Sequence, residues 1–181
     1  LFIPLTIGGG IREVADVGRA LRAGADKVSI NSAGVRDPAI FTRGAELYGA
    51  QCIVASIDAK RVDDRWVVFV KGGREPTGLE AVAWAQECVE RGAGEVLLTS
   101  IDRDGARTGY DLELTAAVAG AVQVPVIASG GAGSAEHIPD VLLRTGADAA
   151  LVAGILHDGL TTVGEIKRAM RQHDIPTRSA A

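Results

Sequence analysis

The chain has 181 residues, of which 47% are hydrophobic and 23% charged; this is the balance of a folded domain with a hydrophobic core, not of a disordered chain. Its formal net charge of −4 argues against a nucleic-acid partner, because nucleic-acid binding needs a basic surface. No apolar run approaches the roughly 20 residues of a membrane span. The two cysteines, Cys52 and Cys88, have no metal-ligand spacing, and we expect reduced thiols in a cytoplasmic protein.

Short apolar segments alternate with amphipathic segments along the chain. The apolar segments, which have the length and composition of buried strands, are residues 2–7, 27–30, 53–57, 96–100, 124–128 and 149–153. Helical periodicity is found in residues 12–23, 38–48, 79–91, 112–120, 134–145 and 163–172, with Ser134 as the candidate cap of its helix. Regular alternation of strand and helix predicts a parallel sheet built from βα units.

Residues 60–73 depart from this alternation. Apolar runs lie on both sides of the sequence Asp63-Asp64-Arg65, which predicts a β-hairpin in the loop after the third strand. The sequence leaves two interpretations open: the hairpin is a decoration, or it is a lid or substrate-contacting loop.

An internal repeat indicates the architecture. Residues 3–10 resemble residues 124–131, an offset of about 121, and each copy is followed by a helix ending in Gly-Ala-Asp and then by another strand. The offset spans four strand–helix units, which predicts an α/β fold of eight units, a (β/α)₈ TIM barrel made of two half-barrels. The six visible units would be the third to the eighth, so we expect residues 1–181 to form a single partial barrel domain lacking the first two units. An open doubly wound sheet is the alternative.

In a barrel, functional residues lie where the strands end at their carboxyl side. Residues 8–10 and 129–131 are glycine-rich there, and their backbone N–H groups could surround two phosphates, unless the glycines only permit tight turns. Asp58 ends the third strand and is a candidate general acid–base, with a salt bridge to Lys60 or Arg61 as the alternative. The repeat predicts its counterpart on the absent first strand.

The loop after the fourth strand, residues 102–111, is polar and rich in glycine, which favours a functional role. It contains two acids, Asp102 and Asp104, and spacing alone does not tell which one points into the barrel. The three histidines have no metal-binding spacing, and we expect them to be surface or packing residues.

Several segments resemble the cyclase subunit of imidazole glycerol phosphate synthase, a histidine-biosynthesis enzyme. They are PLTIGGGI, GADKVSINSA, SIDAKR, GAGEVLLTSIDRDGARTGYD and IASGGAG. The sister isomerase of the pathway, phosphoribosylformimino-aminoimidazole isomerase, is also a half-barrel repeat with a substrate bearing two phosphates. SIDAKR together with SIDRDG favours the cyclase.

The resemblance implies a lyase that works without a cofactor. It implies conversion of a phosphoribulosyl-formimino-aminoimidazole intermediate and ammonia into imidazole glycerol phosphate and aminoimidazole carboxamide ribotide. Ammonia would come from a glutaminase subunit that forms a heterodimer with the cyclase at the barrel bottom. A non-catalytic phospholigand-binding or partner-docking fragment remains the competing interpretation.

The resemblance also implies site residues. Asp58 matches one of two catalytic aspartates, and the ammonia gate at the barrel bottom is matched by Lys27 and Glu95. One phosphate site is matched by Gly10, Asn31 and Ser32, and the other by Asp104, Gly105, Gly130, Gly131, Ala153 and Gly154. Thr99 and Ser129 match residues of the barrel mouth near the substrate. Gly154 stands where the family has a serine, so a hydroxyl contact would be lost there while the backbone N–H remains.

Overall fold

The computed structural model describes residues 3–178. Its strands are β1 (Thr6–Gly8), β2 (Lys27–Ile30), β3 (Ile53–Val62), β4 (Arg65–Val70), β5 (Glu75–Glu80), β6 (Glu95–Ser100), β7 (Val126–Ser129) and β8 (Ala149–Ala150). Its α-helices are α1 (Val14–Arg22), α2 (Ser32–Arg36), α3 (Ala39–Tyr48), α4 (Ala81–Glu90), α5 (Leu112–Ala119), α6 (His137–Thr145), α7 (Gly154–His157) and α8 (Val163–Gln172), with a 3₁₀ turn at Ala50–Cys52.

The main sheet is parallel, and its strands follow one another in the order β1-β2-β3-β6-β7-β8. This order has no reversal, whereas a doubly wound sheet reverses its strand order at the point where ligands bind. The doubly wound alternative is therefore wrong. Six consecutive βα units on one curled sheet confirm the predicted partial (β/α)₈ barrel.

The hydrophobic core lies between the sheet and the helices. On β3 the side chains of Ile53, Ala55 and Ile57 are fully buried in one cluster with side chains of α1, α3, α4 and α5. Burial of each isoleucine stabilises the fold by roughly 1.5–3 kcal/mol. Because side chains alternate along a strand, Ser56 and Asp58 face the opposite side, where they are half-buried. The alternation turns the polar residues away from the core and towards the barrel interior.

The predicted hairpin is confirmed. Strand β3 runs beyond the other strands and pairs antiparallel with β4, with Val62 opposite Arg65 and a turn in which Asp63 has a φ of 51°. A third antiparallel strand, β5, was not predicted, because its sequence contains Pro76 and Gly78 and lacks an alternating apolar pattern. The three strands β3, β4 and β5 form one ribbon that rises from the carboxyl edge of the sheet.

The two copies of the internal repeat share a pair of hydrogen bonds made by the aspartate of Gly-Ala-Asp. The Asp26 carboxylate accepts from the Leu5 amide at 2.7 Å, while the Asp26 amide donates to the Leu5 carbonyl at 2.8 Å. In the second copy, Asp148 makes the same two bonds with Val126, both at 2.9 Å. The repeated Gly-Ala-Asp therefore fastens the start of one strand to the start of the next.

Several predicted element boundaries differ from the structure. Strand β3, predicted over residues 53–57, continues to Val62 as the first strand of the ribbon. Strand β1 begins at Thr6 and is largely exposed, and residue 2 of the predicted strand lies outside the described part. Strand β8 has two residues where five were expected; like β1, it pairs with one neighbour among the described residues, which gives fewer backbone hydrogen bonds to extend it. Ser134 does not cap α6, because residues 134–136 form a turn and Glu136 takes the cap position.

None of the helices in residues 3–178 combines the length and the apolar character needed to cross a membrane.

Candidate functional site

A first pocket lies at the carboxyl ends of β1, β2 and β3, and we call it the Asp58 pocket. It has a volume of about 260 Å³. It is lined by Gly9, Gly10, Ile11, Ser29, Asn31, Ser32, Ala33, Ser56, Asp58 and Gly72. The structure therefore brings the predicted acid together with Gly10, Asn31 and Ser32, the first set of predicted phosphate contacts.

The Asp58 carboxyl group is half-buried and accepts a hydrogen bond from the Asn31 side-chain amide at 2.9 Å. Burial raises the pKa of Asp58 above the usual carboxyl value; the Asn31 bond opposes the shift and the negative charge of Asp104 adds to it. Asp58 forms no salt bridge with residues 3–178: Arg61 instead pairs with Glu113 and stacks on the Trp66 ring. The salt-bridge alternative is wrong, and the group can exchange a proton closer to neutral pH.

The ribbon contacts the Asp58 pocket directly. The turn between β4 and β5 supplies Gly72 to the pocket lining, and the Lys71 amide donates to the Ser32 hydroxyl at 3.1 Å. Asn31 presents a buried side-chain oxygen that has no hydrogen-bond partner in the described part of the chain. Of the two interpretations, a wall or lid of the pocket fits these contacts better than a decoration.

A second pocket lies at the carboxyl ends of β6, β7 and β8, and we call it the loop pocket. It has a volume of about 160 Å³. It is lined by Asp104, Gly105, Arg107, Ser129, Gly130, Gly131, Ala132, Leu151, Ala153, Gly154 and Ile155. All predicted contacts of the second phosphate therefore meet in one place.

The glycines of the loop pocket have two effects. A Cβ on Gly130 would stand 2.7 Å from the Ser100 carbonyl oxygen, and one on Gly131 would stand 2.2 Å from that of Gly109, so both positions require glycine for packing. The backbone N–H groups of both residues also donate no hydrogen bond to residues 3–178. The tight-turn and phosphate-site interpretations are thus compatible, because the same close packing leaves amides free for an anion.

A row of polar side chains connects the two pockets. In the strand register Asp58 stands opposite Thr99, and Thr99 stands opposite Ser129. Neighbouring strands are about 4.8 Å apart, so Asp58 lies roughly 10 Å from Ser129 at the edge of the loop pocket. Thr99 lines neither pocket and lies between them.

The structure distinguishes the two acids of the loop after β6. Asp104 lines the loop pocket, and its carboxylate has no hydrogen-bond or salt-bridge partner among residues 3–178. The Asp102 carboxylate accepts from the Arg61 amide at 2.7 Å and so holds the base of the ribbon. Asp104 is therefore the acid that faces the site.

Lys27 and Glu95 meet at the opposite end of the sheet. Both stand at the amino ends of their strands, β2 and β6, and they form an ion pair across β3. This position separates them from the two pockets by the length of the strands. The two predicted gate residues are thus in contact with each other, at the end of the sheet opposite to Asp58 and the two pockets.

Sequence reasoning missed three polar residues of the pockets: Ser29, Ser56 and Arg107. Ser56 precedes Asp58 by two positions and Ser29 precedes Asn31 by two, so strand alternation would have found both. Arg107 gave no such pattern, because its place depends on how the loop folds. Within residues 3–178, no group of three or more His, Cys, Asp or Glu side chains is arranged to hold a metal ion.

Comparisons with known proteins agree with this geometry. The family model described as "Histidine biosynthesis protein" matches residues 1–162. Relatives named imidazole glycerol phosphate synthase subunit HisF are 72% identical in Myxococcus xanthus, over 99% of this chain and 71% of the relative, and 55% identical in Thermosynechococcus vestitus, over 99% of this chain and 66% of the relative. A relative of the same name from Bacillus cereus is 55% identical, over 98% of this chain and 71% of its own length. The chain therefore belongs to the histidine biosynthesis protein family, among the HisF subunits of imidazole glycerol phosphate synthase.

Proposed function

We propose that this chain carries the cyclase site of imidazole glycerol phosphate synthase. The reaction is a lyase and cyclisation reaction that converts the phosphoribulosyl-formimino-aminoimidazole intermediate and ammonia into imidazole glycerol phosphate and aminoimidazole carboxamide ribotide. One observation carries the proposal: a carboxyl group with a raised pKa, Asp58, shares one rim of the sheet with two pockets that present free backbone amides.

The two pockets fit the two phosphates of an elongated substrate. Gly9 and Gly10 have free backbone N–H groups in the Asp58 pocket, as Gly105 and Gly131 do in the loop pocket, among the contacts described for residues 3–178. A substrate bound at both ends would lay its centre along the row that contains Thr99. Asp58 would then stand beside the reacting atoms, held by Asn31.

Asp58 would serve as a general acid–base. Imine formation, cleavage and ring closure each require proton transfers, and burial raises the pKa of the Asp58 carboxyl group, which makes it a better proton acceptor than an ordinary carboxylate. The residues at hand thus supply acid–base chemistry without a cofactor. Asn31, the hydrogen-bond donor to Asp58, would hold the carboxyl group in one orientation.

We further propose that this domain is one partial barrel that two more βα units would close. Strands β1 and β8 each pair with one neighbour among the described residues, and the relatives are longer than the chain. Two units between β8 and β1 would complete eight strands. They would also bring the second acid that the repeat predicts.

The amino ends of the strands would receive ammonia from a glutaminase subunit. The Lys27–Glu95 ion pair lies at that end, under the row of polar residues that leads to Asp58. The names of the relatives describe a subunit, which fits a heterodimer. Reduced cysteines fit a cytoplasmic location for this assembly.

The test uses the full-length protein supplied with an ammonium salt, so that turnover does not depend on the partner. We expect the two products to form, and Asp58→Asn to lower kcat by about 10²–10⁴-fold while substrate affinity stays within about threefold. Asp64→Asn, an exposed change of the same kind at the hairpin turn, is the matched control and should keep full activity.

Three results would contradict the proposal. Asp58→Asn with normal turnover would remove Asp58 from the mechanism. Turnover of the sister isomerase's substrate instead would reassign the site to that reaction. Tight substrate binding without product from the wild-type protein would support a phospholigand-binding role.

A further inference from the structure

Arg107 is the cationic side chain in the lining of the loop pocket. Among the residues that line this pocket, the charged ones are Asp104 and Arg107. Arg107 lies in the loop between β6 and α5 with a φ of 59°, and its carbonyl oxygen packs so closely on Gly133 that a Cβ there would stand 1.9 Å away. The backbone of Arg107 is therefore fixed beside the pocket.

The guanidinium group bridges two sides of the loop pocket. Its Nη2 atom forms an ion pair with Asp158, which follows α7, while Asp104 and Gly105 belong to the same loop as Arg107. The Nε and Nη1 atoms of Arg107 donate no hydrogen bond to residues 3–178. Both partners of the pair are about half exposed, at 48% and 50%. An ion pair so exposed contributes little to stability, so the guanidinium can share or exchange its partner.

A cation at this position would offset the negative charge of a bound phosphate. A phosphate monoester carries about −1.5 to −2 charges at neutral pH. In the loop pocket it would meet the amides of Gly105, Gly130, Gly131 and Ala153, but also the Asp104 carboxylate, and none of these groups has a hydrogen-bond partner within residues 3–178. Backbone amides carry only partial charge and do not balance both anions.

We propose that Arg107 binds the phosphate in the loop pocket and sets its preference for a dianionic group, while the ion pair with Asp158 is dispensable for this binding. Nε and Nη1 point to different sides of the guanidinium, and each can donate a charge-assisted hydrogen bond to a phosphate oxygen. This inference extends the proposed function, since it names a residue that recognises one end of the substrate.

The first test measures the binding of inorganic phosphate to the full-length protein by titration calorimetry. We expect two sites in the wild type. Arg107→Met should weaken one of them by about tenfold or more, and Arg107→Lys should weaken it less, because the charge remains while the paired donors are lost. Arg144→Met, which removes an exposed arginine paired with Asp140 on α6, is the matched control and should leave both sites within about twofold.

Asp158→Asn separates ligand binding from loop bracing. This variant breaks the ion pair but keeps the cation, so phosphate affinity should stay within about twofold of the wild type if Arg107 contacts the ligand. If Asp158→Asn weakens phosphate binding as much as Arg107→Met does, Arg107 only braces the loop and the proposal is overturned. Equal affinities for Arg107→Met and Arg144→Met overturn it as well.

Steady-state kinetics give a second readout. Arg107→Met should raise KM about tenfold with kcat within about threefold, because the phosphate is remote from the reacting atoms. Phosphate binding that depends on Arg107 in a protein without cyclase activity would refute the proposed function and leave this inference standing. Normal turnover with unchanged KM and phosphate affinity in Arg107→Met would refute this inference and leave the proposed function standing.

Discussion

At the scale of single residues, Asp58 occupies an environment that opposes its own charge. Its carboxyl group is partly withdrawn from water, lies near the Asp104 carboxylate and has one neutral donor, Asn31. A structural acid in a folded protein more often gains a cation, which lowers its pKa. This environment of Asp58 lowers the stability of the fold when the carboxyl group is ionised. Such destabilising environments of ionisable groups are typical of functional sites.

This environment predicts a stability effect with a defined pH dependence. The folded pKa of Asp58 is raised above its unfolded value, so its stabilising contribution is complete below the unfolded pKa and is lost as pH rises through the folded pKa. Asp58→Asn cannot ionise. We therefore expect this variant to unfold at a higher urea concentration than the wild type at pH 7–8. The gain in the free energy of unfolding should be no more than about 1 kcal/mol, because solvent screens the partly exposed group.

The difference between the two proteins should shrink as the pH falls and disappear below about pH 3, where the carboxyl group is protonated in both states. Urea titrations followed by circular dichroism at several pH values measure it. A variant less stable than the wild type at neutral pH would mean that the carboxylate is favourably solvated. Asp64→Asn, at an exposed position, should show no such trend.

The sequence predicted those site residues whose position depends on the alternation of side chains along a strand. The sequence predicts Asp58 at the end of a strand and on the opposite face from Ile57; the strand continues to Val62, and the two side chains lie on the expected sides. The Asn31 bond to Asp58 joins residues 27 positions apart, and Arg107 meets Asp158 across 51 positions. Such partners depend on how loops fold over the rim, and no local pattern carries that information.

At the scale of elements, the repeated aspartates explain why the two half-barrels share a motif. Asp26 and Asp148 each fasten the start of one strand to the start of its neighbour through two hydrogen bonds. The Gly-Ala-Asp sequence was recognised as a repeat, but its task became clear only from the bonds. A glycine that ends the helix and a carboxylate that reaches the next strand are both needed in this short connection.

We expect Asp148→Ala to lower the free energy of unfolding by about 1–2 kcal/mol, because the Val126 amide loses a charged acceptor at the start of β7. Chemical denaturation measures the change. Asp140→Ala is the matched control: it removes an exposed carboxylate from α6 and should cost less than about 0.5 kcal/mol. Equal losses in the two variants would mean that the bond to Val126 contributes no more than a surface ion pair.

Periodicity predicted the central strands best. Strand β2 and helix α8 have the predicted bounds, and β6 differs by one residue. The edge strands β1 and β8 were overestimated, since pairing on one side limits their length. The short helices α2 and α7 were missed because one helical turn has too few residues to show a period.

At the scale of the whole molecule, the two cysteine thiols differ in burial and therefore in when they can react. Cys88 lies on the buried face of α4, and burial raises the pKa of its thiol, whereas Cys52 is half-buried. A thiol reagent attacks the thiolate, so Cys88 should be inert in the folded protein.

In a Cys52→Ser variant, we expect the modification rate of Cys88 by a chromogenic disulfide reagent to rise with urea in parallel with global unfolding. The measurement compares labelling rates with the loss of helical circular dichroism. A Cys88→Ser variant is the control, and its remaining thiol at Cys52 should react in the absence of urea. Rapid labelling of Cys88 without denaturant would indicate that α4 detaches from the sheet on its own.

Strand β3 belongs to both the sheet and the ribbon, and Asp58 lies where they join. Asp58 is paired with Thr99 on one side and with Phe69 of β4 on the other, and the same strand continues unbroken to Val62. A swing of the ribbon away from Ser32 would therefore twist the peptide units that carry the carboxyl group. The position of the ribbon, which controls access to the Asp58 pocket, is therefore coupled to the orientation of the Asp58 carboxyl group. A substrate that draws the ribbon inward would also orient that carboxyl group.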